Sequence, residues 1–435
     1  MSEVSNARRA AAYVLRRCRR FDAWSQQTIR SAAEQYSLDE RDAALCSQLC
    51  LSVLRNAALC DWYIDAFSST PSVKLQPQIL DLLRLGVCQI LFLDKIPDHA
   101  AVSQTVTQAK AVNPRAAGLV NAVLRRIAER KYDLPPLPEP GTARELSIRY
   151  SHPLWLCEKL VNEYGFEHAK AFLEASNRES DLTLTVNLCR TEPDKLAEKL
   201  RANGYEVMRS PLTPVSLVLG ESASVPMLPG FEEGEFFVQD AAATLPVLSA
   251  DPGHRDRVLD VCAAPGGKSF LCAVLMGDMG EILACDIHEN KLSRIEEGAK
   301  RLGFSSVRTA PMDASKPYEQ LKESFDLVLA DAPCSGMGVI RKKPEIRYKD
   351  PKDLLALPAV QLRILEGAAS CVKPGGKLVY STCTVFREEN GEVVSAFLAR
   401  HPDFRAVEER TVWPQEYGTD GFYYCKMMKY ENDQR

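Results

Sequence analysis

From Phe236 onward the chain alternates short apolar runs with helical patterns, and the runs stop at acids, glycines or cysteines. Residues 257–261, 281–286, 307–309, 325–331 and 377–381 read as strands, and 422–427 as a late one. Between them, 269–276, 289–302, 354–372 and 388–400 carry helical periodicity. Runs of this length are too short for helices of their own and suit strands buried on both faces. Strand–helix–strand alternation predicts an α/β domain with a doubly wound, mostly parallel sheet. Ligands of such sheets bind outside the carboxyl ends of the strands, so the residues at those ends are the first candidates for a site.

The front of the chain has a different rhythm. Residues 4–131 read as successive amphipathic helices with short breaks, the pattern of an all-α bundle. The run Leu134-Pro-Pro-Leu-Pro-Glu-Pro-Gly141 suits neither a helix nor an inner strand and reads as a linker. Residues 144–235 mix helices with β-like runs at 182–188, 207–208 and 216–219, a small α+β module. The expected division is a bundle over 1–133, a linker over 134–143, the small module over 144–235 and the α/β domain over 236–435.

Charge follows the same division. The 435-residue chain has a formal net charge of −4, which by itself points to no partner. Residues 1–133, however, hold 18 Lys and Arg against 13 Asp and Glu, and the remainder holds 36 against 45. A basic front on an acidic rear suggests a polyanion-binding module. Arg8, Arg9, Arg16, Arg17, Arg19 and Arg20 flank an apolar run too short for a secretory core. No apolar stretch in the sequence approaches the ~20 residues of a membrane span. The 14 cysteines are scattered, no C-x-x-C pair occurs and the six histidines are dispersed. The expectation is a reduced, cytoplasmic protein with no metal, most of its cysteines serving as small buried hydrophobes.

The strand ends carry the candidates. The first strand ends in Asp260-Val-Cys-Ala-Ala-Pro-Gly-Gly-Lys268, where paired glycines allow close backbone approach and a helix start favours negative charge. The plainer reading is a tight strand–helix turn. Asp286 ends the second strand, suited either to ribose hydroxyls or to capping the next helix. Asp313 follows the third strand, where a solvated loop acid is the plainer reading. Asp331-Ala-Pro-Cys-Ser-Gly-Met-Gly338 ends the fourth, and Tyr380-Ser-Thr-Cys-Thr384 ends the fifth. Cys334 and Cys383 therefore sit past neighbouring strands, facing one pocket. The basic loop Arg341-Lys-Lys343, with Arg347 and Lys349, reads as a phosphate contact or a solvated loop, and Arg16–Arg20 and Arg125–Lys131 as further polyanion contacts or soluble helix faces.

The runs CAAPGGK (262–268), DAPCSG (331–336) and STC (381–383) resemble the motifs of class I, S-adenosylmethionine-dependent RNA cytosine-5 methyltransferases. The helical front is similar to the antitermination factor NusB, and the likeness covers essentially the whole chain. It is nearest the bacterial B-type branch, which acts on 16S rRNA. The resemblance implies Cys383 as the nucleophile on C6 of cytosine, Cys334 as its helper in release and Asp331 on the base edge. It also implies that S-adenosylmethionine lies along Cys262, Ala263, Ala264, Pro265, Gly266, Gly267 and Lys268, with its ribose on Asp286 and its adenine near Asp313. Lys268 is left between the donor's carboxylate and Asp331. The expected partner is 16S rRNA, naked or in an early assembly particle, and the expected state is a monomer. The competing readings are a nicotinamide oxidoreductase, a non-catalytic RNA-binding or assembly protein, and a methyltransferase acting on tRNA or another rRNA site. The first would need a G-x-G-x-x-G turn where this chain has Ala-Ala-Pro-Gly-Gly.

Overall fold

The computed structural model describes residues 4–21, 25–220 and 224–431, with the side chains of Arg20 and Phe21 outside the description. The chain forms two compact units, one of residues 1–177 with 342–349, the other of residues 178–341 with 350–435.

The first unit is all helical. It contains α1 (Asn6–Phe21), α2 (Ser25–Gln35), α3 (Glu40–Phe67), α4 (Pro77–Leu91), α5 (Asp98–Val112) and α6 (Ala117–Glu129). Then come α7 (Ala143–Arg149), α8 (Leu154–Tyr164) and α9 (Phe166–Asn177), so the boundary of the compact unit falls beyond the proline-rich segment. Helix α1 forms because Ala7, Ala10, Ala11 and Val14 share one face, which is fully buried, while the exposed Arg9, Arg16 and Arg19 take the other. Asp39 caps α3 by accepting the Asp42 N–H at 2.7 Å. Helix α3 is long and apolar enough to cross a membrane by length and composition alone. Here it is the centre of a bundle, with Leu49, Cys50, Cys60 and Ile64 fully buried against α1 and α4.

Helix α3 is kinked at Asn56, whose φ of −126° and ψ of 16° are not helical. A kink frees carbonyls from the i to i+4 ladder, and these must find other donors. The segment 342–349 supplies them. The Tyr348 hydroxyl donates to the Leu54 carbonyl at 2.8 Å. The Arg347 guanidinium donates to the Arg55, Tyr150 and Ser151 carbonyls at 3.1–3.4 Å. Glu345 closes the start of α2, accepting from Ser25 N–H at 3.0 Å and Ser25 Oγ at 2.8 Å. Arg347 is fully buried, so neither the phosphate nor the solvated-loop reading holds for it.

The second unit holds two sheets. A small antiparallel sheet comprises β1 (Leu182–Val186), β2 (Val207–Arg209), β3 (Ser216–Leu219) and β4 (Phe236–Val238) in the order β2-β3-β1-β4, with α10 (Pro193–Ala202) packed on it. The large sheet follows α11 (Ala241–Ala250). Its elements are β5 (Arg257–Asp260), α12 (Gly267–Met276), β6 (Glu281–Asp286), α13 (Leu292–Leu302), β7 (Val307–Pro311), β8 (Phe325–Asp331), α14 (Leu357–Ser370), β9 (Val372–Thr382), α15 (Gly391–Arg400), β10 (Phe404–Val412) and β11 (Phe422–Lys429). The order is β10-β11-β9-β8-β5-β6-β7, parallel from β9 to β7 and antiparallel at β11 and β10. The expected mostly parallel α/β sheet is therefore present. The edge strand β10 was not legible in sequence. Its Phe-Arg-Ala-Val-Glu-Glu-Arg run is charged, as edge strands commonly are, and a register shift between Ala406 and Glu408 interrupts its alternation. The chain winds outward from β5 through β6 and β7, then returns to lay β8 and β9 on the other side. The switch point thus falls between β5 and β8, where such sheets form a ligand crevice.

Candidate active site at the strand ends

The loop after β5 is held open as a cradle. Its Ala264–Pro265 bond is cis. The Ala263 N–H donates to the Cys285 carbonyl of β6 at 2.7 Å, pinning the loop to the neighbouring strand. Gly266 has φ of +111°, and a Cβ there would strike the Phe270 ring. Only glycine satisfies both conditions. Asp260 is fully buried beneath this loop, with Oδ2 accepting from Ser269 Oγ at 2.7 Å and Oδ1 left without a partner. Burial pushes its carboxyl up to about 6. Burial also raises the Cys262 thiol well above its ordinary value.

Asp286, at the end of β6, accepts the His288 N–H at Oδ1 from 2.9 Å, and Lys291 stands 3.7 Å from the same oxygen. Among the described residues, Oδ2 has no hydrogen-bond partner. The next residue, Ile287, is 60% exposed, an unusual position for a large apolar side chain beside a buried acid. Asp313 is already engaged. Ser315 Oγ donates to it at 2.6 Å and Lys316 Nζ lies 2.9 Å away, and these contacts hold its carboxyl below the usual range.

The acid and the two cysteines meet at the ends of β8 and β9, where Asp331 pairs in register with Ser381. Asp331 Oδ1 accepts from Ser381 Oγ at 2.8 Å, and Oδ2 from Lys268 Nζ at 2.6 Å. Lys268 is thus on Asp331, and its ammonium also lies 5.0 Å from the centre of the Phe422 ring. Cys334 Sγ and Cys383 Sγ are 3.2 Å apart, both thiols half-buried. The Cys334 thiol is held far above its ordinary value, first by its contact with Cys383 and then by burial.

Several residues that build this arrangement escape a sequence reading. The Gly338 N–H donates to the Cys383 carbonyl at 2.9 Å, and the Gly421 N–H to the Gly338 carbonyl at 2.8 Å. A Cβ on Gly338 would collide with the Gly421 carbonyl. Ser335 Oγ and Thr384 Oγ1, the neighbours of the two cysteines, are 2.8 Å apart. Beneath them Glu389, 1% exposed, accepts from Ser335 N–H and Gln361 Nε2, both at 2.8 Å. The buried carboxylate lies six residues beyond Cys383, past any motif boundary, and only an acid inside a helix-start pattern marked it. Arg341, read as a phosphate contact or part of a solvated loop, is instead 6% exposed and donates to the Gly418 carbonyl at 2.6 Å. Among the described residues no group of three or more His, Cys, Asp or Glu is disposed to hold a metal ion.

The glycine cradle, the available Asp286 oxygen and the switch-point position fit an adenosyl ligand with a carboxylate tail, which defines a class I, S-adenosylmethionine-dependent methyltransferase. Comparison with known proteins carries this further. The family described as 16S rRNA methyltransferase RsmB/F matches residues 247–428, the NusB family residues 5–129, and the ferredoxin-like domain of the RsmF/B methyltransferases residues 152–226. "Probable ribosomal RNA small subunit methyltransferase B" of Bacillus subtilis (strain 168) is 37% identical over 94% of this chain and 95% of its own. Ribosomal RNA small subunit methyltransferase B of Klebsiella pneumoniae (strain ATCC 700721 / MGH 78578) is 35% identical over 92% of this chain and 93% of its own. The crystal structure of PH0851 superposes with a TM-score of 0.81 at 27% identity, covering 99% of this chain and all of that one. The chain belongs to the RsmB-type family of S-adenosylmethionine-dependent rRNA methyltransferases.

Proposed function

We propose that this protein transfers a methyl group from S-adenosylmethionine to C5 of one cytosine in 16S rRNA, through a covalent bond between Cys383 and C6. The observation that carries the reading is the contact of Cys334 and Cys383 at 3.2 Å beside Asp331. C5 of cytosine is a poor nucleophile until a thiolate adds to C6 and makes it enamine-like. S-adenosylmethionine supplies an electrophilic methyl group on a sulfonium.

The chain's own residues do the rest. Asp331 meets the N3 and amino edge of the base, accepting from the amino group and from N3–H once N3 takes the proton that Cys383 gives up as it adds. Ser381 and Lys268 orient that carboxylate. After transfer the C5 proton passes to water, its electron pair restores the C5–C6 double bond, and the C6–S bond breaks to release Cys383 as a thiolate. The Cys334 S–H faces that departing sulfur and assists release. Gly266 and Gly267 admit the donor's carboxylate to the first turn of α12. Asp286 takes the ribose hydroxyls through Oδ2, Ile287 covers one face of the adenine, and Asp313 reaches its edge after parting from the exposed Lys316.

The target base must leave its stack to reach this pocket, so RNA must also be held at a distance. Residues 1–133 serve as the RNA-holding arm and residues 236–435 as the catalytic domain. A concavity of about 600 Å³ on the helical unit supports this role, with Arg9, Tyr13, Arg16 and Tyr36 among its lining. Among the described residues, Arg9 and Arg16 are exposed and meet no carboxylate, whereas Arg19 and Lys131 are taken up by Asp81 and Asp98. Arg20, grouped with them by sequence, has its side chain outside the described residues. The protein acts as a cytoplasmic monomer.

Bisulfite sequencing of 16S rRNA tests the reading. A strain lacking the gene loses one 5-methylcytosine, the parent chain restores it, and Cys383→Ala does not. Restoration by Cys383→Ala, or loss of a tRNA mark instead, overturns it.

A further inference from the structure

Behind the cysteine pair lies a carboxylate that the reaction as described does not use. Glu389 is 1% exposed, and its Oε2 is held by two neutral donors, the Ser335 N–H and Gln361 Nε2, each at 2.8 Å. Among the described residues no cation pairs with it, and Oε1 has no hydrogen-bond partner. A buried carboxylate without a counter-ion is costly, and its field is poorly screened by solvent. Something must justify its position here. Its contacts lie on both sides of Cys334. Ser335 follows that cysteine, and Gln361 Nε2 also donates to the carbonyl of Pro333, which precedes it, at 3.0 Å. The Glu389 carbonyl in turn accepts from the buried Tyr380 hydroxyl at 2.6 Å, and Asn390 Nδ2 donates to the Thr384 carbonyl at 3.1 Å, beside Cys383. One short turn thus grips the backbone next to both thiols.

We propose that Glu389 is a positioning residue that divides the labour of the pair, keeping Cys334 in its thiol form so that Cys383 is the sulfur that ionises. The inference rests on the cysteine chemistry proposed above. The titratable groups facing Cys334 are Asp331 from β8, Tyr380 and Cys383 from β9 and its end, and Glu389 from the turn before α15. Asp331 and Glu389 are the carboxylates among them, and Asp331 is already paired with Lys268 at 2.6 Å. The charge of Glu389 is therefore the uncompensated one. A thiolate on Cys334 would face it in a poorly solvated site, so ionisation is directed to Cys383, whose sulfur receives the Cys334 S–H across 3.2 Å. The same S–H is then available when Cys383 departs from C6.

The test reads thiol reactivity without RNA. The full chain is alkylated with iodoacetamide between pH 6 and 10, and modification at each cysteine is followed by peptide mass spectrometry. In the parent chain Cys383 reacts at lower pH than Cys334. In Glu389→Gln, which keeps the shape and removes the charge, Cys334 becomes about tenfold more reactive at neutral pH. Glu389→Asp, which restores a charge, reverses most of that change. With RNA, Glu389→Gln lowers kcat while KM for RNA is retained. An unchanged Cys334 profile in Glu389→Gln overturns the proposal. If that variant does not fold, the parent chain still decides, because Cys334 titrating below Cys383 overturns it equally. The two readings fail separately. Methylation by Cys383→Ala removes the nucleophile assignment, whereas the order of thiol reactivity is measured with no methyl transfer at all.

Discussion

Each compact unit brings cysteine sulfurs into contact, and one pair from each makes a comparison. Cys60 of α3 and Cys88 of α4 are 3.5 Å apart, and Cys334 and Cys383 are 3.2 Å apart. The first pair is fully buried among Ile64, Leu83 and Val87, and burial drives the Cys60 thiol far above its ordinary value. It behaves as two small hydrophobes. The second pair is half-buried, lies at the ends of two parallel strands, and has Asp331 and Glu389 around it. Sulfur contact is therefore no mark of function. The surroundings that permit a thiolate and admit a substrate are what differ. Glycines show the same contrast. A Cβ on Gly86 would meet only the Leu124 side chain, which can yield, whereas one on Gly338 would meet the Gly421 backbone, which cannot.

Four experiments press on this contrast. The largest effect is expected for Cys383→Ala, which lowers methyl transfer at least about a thousandfold and abolishes the RNA adduct. Cys60→Ala leaves turnover unchanged in the same assay, and equal losses would erase the distinction between the pairs. Next, Cys334→Ala slows turnover about a hundredfold and accumulates a protein–RNA adduct that survives denaturing electrophoresis. Normal turnover without an adduct would end its release role. Third, Gly338→Ala forces the Gly421 and Cys383 carbonyls away, costing about tenfold in kcat and about 3 kcal/mol of stability read from the thermal midpoint. Gly86→Ala loses only about 1 kcal/mol, because the Leu124 side chain can yield, and retains kcat. Smallest, Cys60→Ala costs about 1 kcal/mol of stability, read from the urea midpoint, because a buried sulfur is lost from a packed core.

Local pattern carried much of this protein. The helices of the front, the strand–helix alternation of the rear and the residues placed at the strand ends are all written in short windows, because periodicity and turn chemistry act over a few residues. The sequence alone therefore determined the fold class, the family resemblance and which acids and cysteines to examine. It did not determine what each charge does. Arg347 and Arg341 look alike in a basic loop, yet both are buried against carbonyls. Arg347 is there because a kink at Asn56, far away in sequence, released carbonyls that need a donor. Glu389 looks like an ordinary helix-start acid until Gln361 and Ser335 close over it. The 3.2 Å between Cys334 and Cys383 exists because β8 and β9 are neighbours in register. Burial, partner and distance are properties of residues brought together from separate windows, and only the tertiary structure decides them.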